Sequence, residues 1–135
     1  MNINLLKKHA KSFYWASFFL SSNALKKCSS LYNFCRTLDD IVDDNNNLSV
    51  KKEIFSKFKN DFENKKLDNP ITKDMWSVID SESISKKIVK DLFDGVETDL
   101  EDNVVINSKK DLLVYSYRVA GTVGLMMSKI LKVKN

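Results

Sequence analysis

Leu31-Tyr32-Asn33-Phe34-Cys35-Arg36-Thr37-Leu38-Asp39-Asp40-Ile41-Val42-Asp43-Asp44 is the stretch that decides the fold of this chain. Its apolar residues recur at three- and four-residue intervals, the spacing of one face of an α-helix. Leu31, Phe34, Cys35, Leu38, Ile41 and Val42 share an apolar arc. Beside it runs a polar stripe. With Tyr32 set at zero and about 100° per residue, Arg36 lies at about 40°, Asp39 at about −20° and Asp43 at about 20°. Asp40 and Asp44 lie further round, on the expected solvent side. Two carboxylates at i and i+4 are neighbours and repel, so the pair is unfavourable without a cation. Mg²⁺ takes oxygen ligands, typically one or two carboxylates together with substrate phosphates. Arginine is a planar donor suited to phosphate oxygens. The stripe therefore points to a Mg²⁺–diphosphate site on a helix. The competing reading is an exposed acidic helix end, with Arg36 paired at the surface to Asp40 or Asp39.

Outward from this stretch the periodicity stays helical. A first helix is expected over residues 5–20. Ser21, Ser22 and Asn23 then break the chain and supply N-cap side chains for a second helix over 24–44. Asn45, Asn46 and Asn47 form a loop. A third helix over 50–64 carries Ile54, Phe55, Phe58 and Phe62 at core spacing. Asn69-Pro70 punctuates, a short segment holds Met75, Trp76 and Ile79, and a helix over 84–101 follows. The last helix starts at Ser108, which with Asp111 forms a Ser-x-x-Asp capping pair, and runs to about residue 131. It is apolar on every side and is therefore expected to be buried. Gly121 and Gly124 inside it each cost about 1 kcal/mol relative to Ala, so either another backbone comes close there or the helix bends.

Composition narrows the function classes. The 135 residues suit one domain or part of one. Three Gly and one Pro argue against an all-β design and against low-complexity chain. The net charge is +4, but only Arg36 and Arg118 among the 22 cations are arginine. Dispersed lysine pairs are the mark of solvated helix faces, not of a nucleic-acid stripe with interleaved Arg and aromatics. One His and two Cys, with no CxxC, leave too few ligands for zinc or a disulfide scaffold. Cys28 and Cys35, two helical turns apart, are too distant to bond to each other and read as reduced core thiols. No secretory signal is evident, and the most apolar window, residues 119–127, is far short of the ~20 residues that span a bilayer. A cytoplasmic location is expected.

Four blocks carry a resemblance: Lys-Ser-Phe-Tyr-Trp-Ala (11–16), the 31–44 stretch, Leu-Phe-Asp-Gly-Val-Glu-Thr-Asp-Leu (92–100) and Tyr-Ser-Tyr-Arg-Val-Ala-Gly-Thr-Val-Gly-Leu-Met (115–126). In order and spacing they resemble the squalene/phytoene synthase family over essentially the whole chain. The resemblance implies an all-α, isoprenoid-synthase-type helical bundle. It also implies a prenyltransferase that condenses two prenyl diphosphates, farnesyl or geranylgeranyl, head to head. A cyclopropyl diphosphate intermediate then rearranges to phytoene, or to squalene when NADPH reduces it. On this resemblance Asp39 and Asp43 match the family's first Asp-x-x-x-Asp metal motif and would hold Mg²⁺. Tyr32 and Arg36 match its diphosphate-contacting residues, and Ser12 and Phe13 match the Ser-Phe near a diphosphate. Tyr115 matches its catalytic tyrosine, and Gly121 and Gly124 match a helix distortion beside the pocket. Read without the resemblance, Tyr115 is equally a core tyrosine with a bonded hydroxyl, Ser12 a cap or surface hydroxyl, and Arg118 a partner for an acidic neighbour.

The family's second Asp-rich motif, beginning Asn-x-x-x-Asp, has no counterpart in this sequence. The expectation is the N-terminal part, about half, of a single synthase-like domain spanning 1–135, inactive alone and leaving apolar helix faces uncovered. The C-terminal half would be a partner or a missing continuation. The alternatives are one half of a split synthase, a non-catalytic helical interaction module, and a lipid-surface protein acting through its lysine pairs. Peripheral membrane contact is expected because the product would be a lipid. Nucleic acid is not an expected partner.

Overall fold

The computed structural model describes residues 20–101 and 108–132. Among them the only regular structure is helical, so the all-α class holds. The expected first helix, with Ser12 and Phe13, lies outside the described residues. Helix α1 is Ser22–Asp43, α2 is Leu48–Glu63, α3 is Pro70–Ser81 and α4 is Lys86–Thr98. The last rod consists of α5 (Lys109–Ser116), a π-helical turn (Tyr117–Gly121) and α6 (Thr122–Ile130).

The starts of these helices follow from short polar side chains that accept backbone N–H groups the helix leaves unpaired. Ser21 accepts from Ala24 at 3.2 Å, Asn47 from Val50 at 2.9 Å, Asn69 from Ile71 at 2.9 Å and Ser108 from Asp111 at 3.1 Å. Pro70 opens α3 at its first position, where a missing N–H costs nothing. The segment around Met75, Trp76 and Ile79 is thus a full helix of 12 residues.

The apolar arc of α1 becomes the wall of the core. Leu31, Phe34 and Leu38 are buried, with Cys35, Ile41 and Val42 packed at the edge. Phe34, with no exposed surface, meets Phe62 at 5.1 Å and Phe93 edge-on at 5.6 Å between ring centroids. Trp76 stacks on Phe62 and donates its indole N–H to the Phe62 carbonyl at 2.9 Å. Such edge-to-face and offset pairs add about 0.5–1.5 kcal/mol each beyond area burial. Ile54, placed in the core by its spacing, is 40% exposed, because α2 turns only its Phe55, Phe58 and Phe62 side inward.

The last rod departs further from expectation. Thr122, Met126 and Ile130 are buried, but Leu112, Leu113, Val114, Tyr117, Leu125 and Leu131 are exposed. A rod apolar on every side is covered here on one side only. Its distortion is the π turn, closed by the N–H of Thr122 on the carbonyl of Tyr117. The close approach is made from outside the rod, by Gly95 of α4. A Cβ there would stand 2.6 Å from the Arg118 Cβ and 3.0 Å from the Val119 Cγ1.

Candidate functional site

The polar stripe of α1 emerges at the margin of the core. Tyr32 and Asp39 are half-buried, while Arg36 and Asp43 are exposed. The same register that buries Leu31, Phe34 and Leu38 therefore leaves Asp39 partly desolvated. Burial first, then the charges of Asp43, Asp40 and Asp99, hold the Asp39 carboxyl above the usual carboxylate range. Arg36 does not turn to this carboxylate. Its Nε lies 3.9 Å from Asp40 Oδ2, with 56% and 64% of the two side chains exposed. An exposed pair at that distance contributes little, about 0–1 kcal/mol. This is one of the two surface pairs that the competing reading named.

Across from Asp39 stand the end of α4 and the start of the last rod. The Tyr115 hydroxyl donates to Asp99 Oδ1 at 2.6 Å. That bond, then burial, then the charges of Asp99 and Asp39, push the Tyr115 phenol up to about 12. Tyr115 is thus a bonded, half-buried tyrosine that feels Asp39, not a residue sealed in the core. The fold gathers Asp39, Asp43, Asp99 and Tyr115 at one end of the helices.

Asp99 was not among the candidate residues read from the sequence. Its signal lay inside the 92–100 block, as the last member of an Asp91-Gly95-Asp99 row at i, i+4 and i+8. All three members face the last rod. Asp91 Oδ2 accepts from the Tyr117 hydroxyl at 3.1 Å and from Lys87 at 3.0 Å, Gly95 lies against Arg118, and Asp99 holds Tyr115. Lys87, and after it Tyr117, keep Asp91 below the usual range.

Among the described residues no three His, Cys, Asp or Glu side chains converge as a metal cage. The donor set on α1 is a pair of carboxylates, all oxygen. The electrostatics of Asp39 mark an excess of negative charge that a hard cation would relieve, so the residues fit Mg²⁺ held with help from substrate oxygens. A separate cleft of about 440 Å³ is lined by Phe62, Trp76, Ile79 and Phe93 under Lys65 and Lys86, and shares no residue with this cluster. Its aromatic floor and the Lys65 ammonium 4.4 Å over the Trp76 ring are contacts of the core edge. No described helix is long and apolar enough to cross a membrane.

A family model described as squalene/phytoene synthase matches residues 6–135. A bifunctional lycopene cyclase/phytoene synthase of Pyrenophora tritici-repentis is 30% identical over 146 residues, covering 96% of this chain and 25% of that protein. The protein of the same description from Phycomyces blakesleeanus is 33% identical, covering 94% and 24%. Phytoene synthase 2, chloroplastic, of Oryza sativa subsp. japonica is 30% identical, covering 88% and 30%. The chain thus spans between about a quarter and 30% of the length of these relatives. With a match over almost its whole length, and with Asp39, Asp43 and Tyr115 of the matching blocks gathered at one end of an all-α fold, the chain belongs to the squalene/phytoene synthase family.

Proposed function

We propose that this chain supplies the first-aspartate side of the diphosphate site of a prenyltransferase, one that joins two prenyl diphosphates head to head in the manner of phytoene and squalene synthases. The supporting observation is Asp39, a carboxylate desolvated by the core edge, crowded by Asp43 and Asp99, and set within electrostatic reach of Tyr115. Asp39 and Asp43 would hold Mg²⁺. When bound, the ion would neutralise the diphosphate and so ease its departure as a leaving group. Arg36, one turn back on an exposed and weakly held side chain, is free to exchange its contact with Asp40 for phosphate oxygens. Tyr115 is a neutral phenol at physiological pH, and its bond to Asp99 moves it further from ionisation, up to about 12. Its oxygen lone pairs are suited to stabilise positive charge left on the allylic carbon.

Isothermal titration with a non-hydrolysable farnesyl thiodiphosphate tests the reading. Binding should require Mg²⁺ and fall at least tenfold in Asp39→Asn, a loss of about 1.4 kcal/mol. Metal-independent binding, or equal binding by the variant, would overturn it.

The exposed row Leu112, Leu113 and Val114 favours a second reading, a helical module that seats against a further helical partner. That association would be indifferent to Asp39→Asn and to Mg²⁺.

A further inference from the structure

We propose that Asp99 is a positioning residue of this site: its carboxylate fixes the Tyr115 hydroxyl so that the proton is held on the α4 side and the oxygen is presented toward the Asp39 side. This role rests on the diphosphate-site reading above, but the pairing itself can be tested apart from it.

The location of Asp99 is locally unfavourable. It caps the C-terminal end of α4, where the helix dipole is negative and repels a carboxylate. It also shares space with the charge of Asp39. Residues that break local rules in this way are expected where function requires them. The Tyr115–Asp99 bond, at 2.6 Å, is as short as charge-assisted O–H···O bonds become.

The bond is also well anchored. One turn back on α4, Gly95 sits so close to Arg118 and Val119 that no side chain fits between the backbones. Two turns back, Asp91 holds Tyr117. The two tyrosines are fixed by two carboxylates eight residues apart on a single helix face, on either side of the point where the rod turns from α to π. π turns are frequent at functional sites, because they re-aim side chains without ending the helix. The Asp91–Tyr117 pair supplies an internal control. It has the same chemistry on the same helix, but Asp91 is also matched by Lys87 and does not act on Asp39.

The experiment is NMR of the full chain carrying tyrosine labelled with ¹³C at the ζ carbon, with the Tyr115 signal assigned by Tyr115→Phe. Asp99→Asn keeps the shape of the side chain and Asp99→Ala removes the acceptor, so a folding failure of one leaves the other. In both, the Tyr115 signal should move from its wild-type position, while Asp91→Asn should move Tyr117 and leave Tyr115 in place. Farnesyl thiodiphosphate with Mg²⁺ should shift Tyr115 in the wild type. In Asp99→Asn, at an analogue concentration that calorimetry shows to saturate the variant, the Tyr115 response should be lost, because a positioning group acts through its partner. A Tyr115 signal that superimposes on wild type in Asp99→Asn and Asp99→Ala would overturn the pairing. A wild-type ligand response retained in Asp99→Asn would overturn the role. If the wild-type chain binds no analogue at all, the diphosphate reading falls, and the pairing is decided by the ligand-free spectra alone.

Discussion

Asp39 and Cys35 share one short run of α1 at the core edge, and the charge of Asp39 acts on Cys35. Asp39 is held above the usual carboxylate value of 3.8, first by burial and then by the neighbouring carboxylates. A carboxylate with a raised folded-state pKa favours the folded state only while it is protonated. Its contribution is fully present below about pH 3.8 and is lost as pH rises through the folded value. Asp39→Asn removes that loss. The variant should melt a few degrees above the wild type at pH 7, with the difference closing as pH falls toward 4, measured by circular dichroism. A site residue that destabilises its own fold is the usual mark of a stability–function trade-off. Cys35 is pushed up to about 12 by burial and then by the charge of Asp39, and Cys28 is raised by burial. Thiolate is the reactive form, so both should resist a disulfide reagent at pH 8 in the native chain and react at once in denaturant. Fast native labelling of Cys35 would contradict its placement. These two environments were partly legible: the heptad spacing of the cysteines and the 39/43 stripe follow from period alone. The burial of Asp39 was not, because a helical wheel orders side chains around an axis without saying where the covered arc ends.

At the scale of the element, the contact of α4 with the π turn carries the arrangement of the tyrosines. Gly95→Ala gains about 1 kcal/mol of helix propensity, but its Cβ would meet Arg118 at 2.6 Å and the Arg118 backbone at 3.2 Å. Overpacking of that kind costs about 1–3 kcal/mol, so the variant should be less stable in urea, and Gly95→Val more so. A Cβ at Gly124 would meet nothing within 4 Å. Gly124→Ala should therefore stabilise by about 0.5–1 kcal/mol. Equal effects at the two positions would show that α4 does not lie against the turn. The glycines of the last helix signalled a distortion. The glycine that answers for the close approach lies instead in α4, and this was hidden because a sequence pattern does not record which helix comes near. The starts of α1, α2, α4 and α5 were legible to within two residues, since caps such as Ser21, Asn47 and Ser108 act through bonds to their own next turn, whereas α3 read only as a short segment after Asn69-Pro70. Asp99 was missed for the opposite reason: its bond to Tyr115 joins two elements, and on its own helix it reads only as an ill-placed acid.

The described residues form a helical body in which one side of the last rod carries exposed apolar side chains. Leu113 is 70% exposed and Leu112 50%, with Val114, Tyr117, Leu125 and Leu131 beside them on the same rod. Contiguous apolar surface of this kind favours association. The chain should self-associate with concentration in light scattering, and Leu112→Lys with Leu113→Lys should shift it toward monomer without lowering its helix content. Apolarity along the rod was plain in the sequence, but hydropathy states how apolar a helix is and not what covers it. Tyr115 of the site lies on the same rod as Leu112, Leu113 and Val114, so the Mg²⁺ and Asp39 dependence of binding, and not association itself, separates the two readings. The central claim is decided by calorimetric titration of farnesyl thiodiphosphate into the wild-type chain and Asp39→Asn, with and without Mg²⁺. Saturable binding that needs both the metal and Asp39 is the predicted result. Binding that ignores the metal, the carboxylate or both would contradict the account.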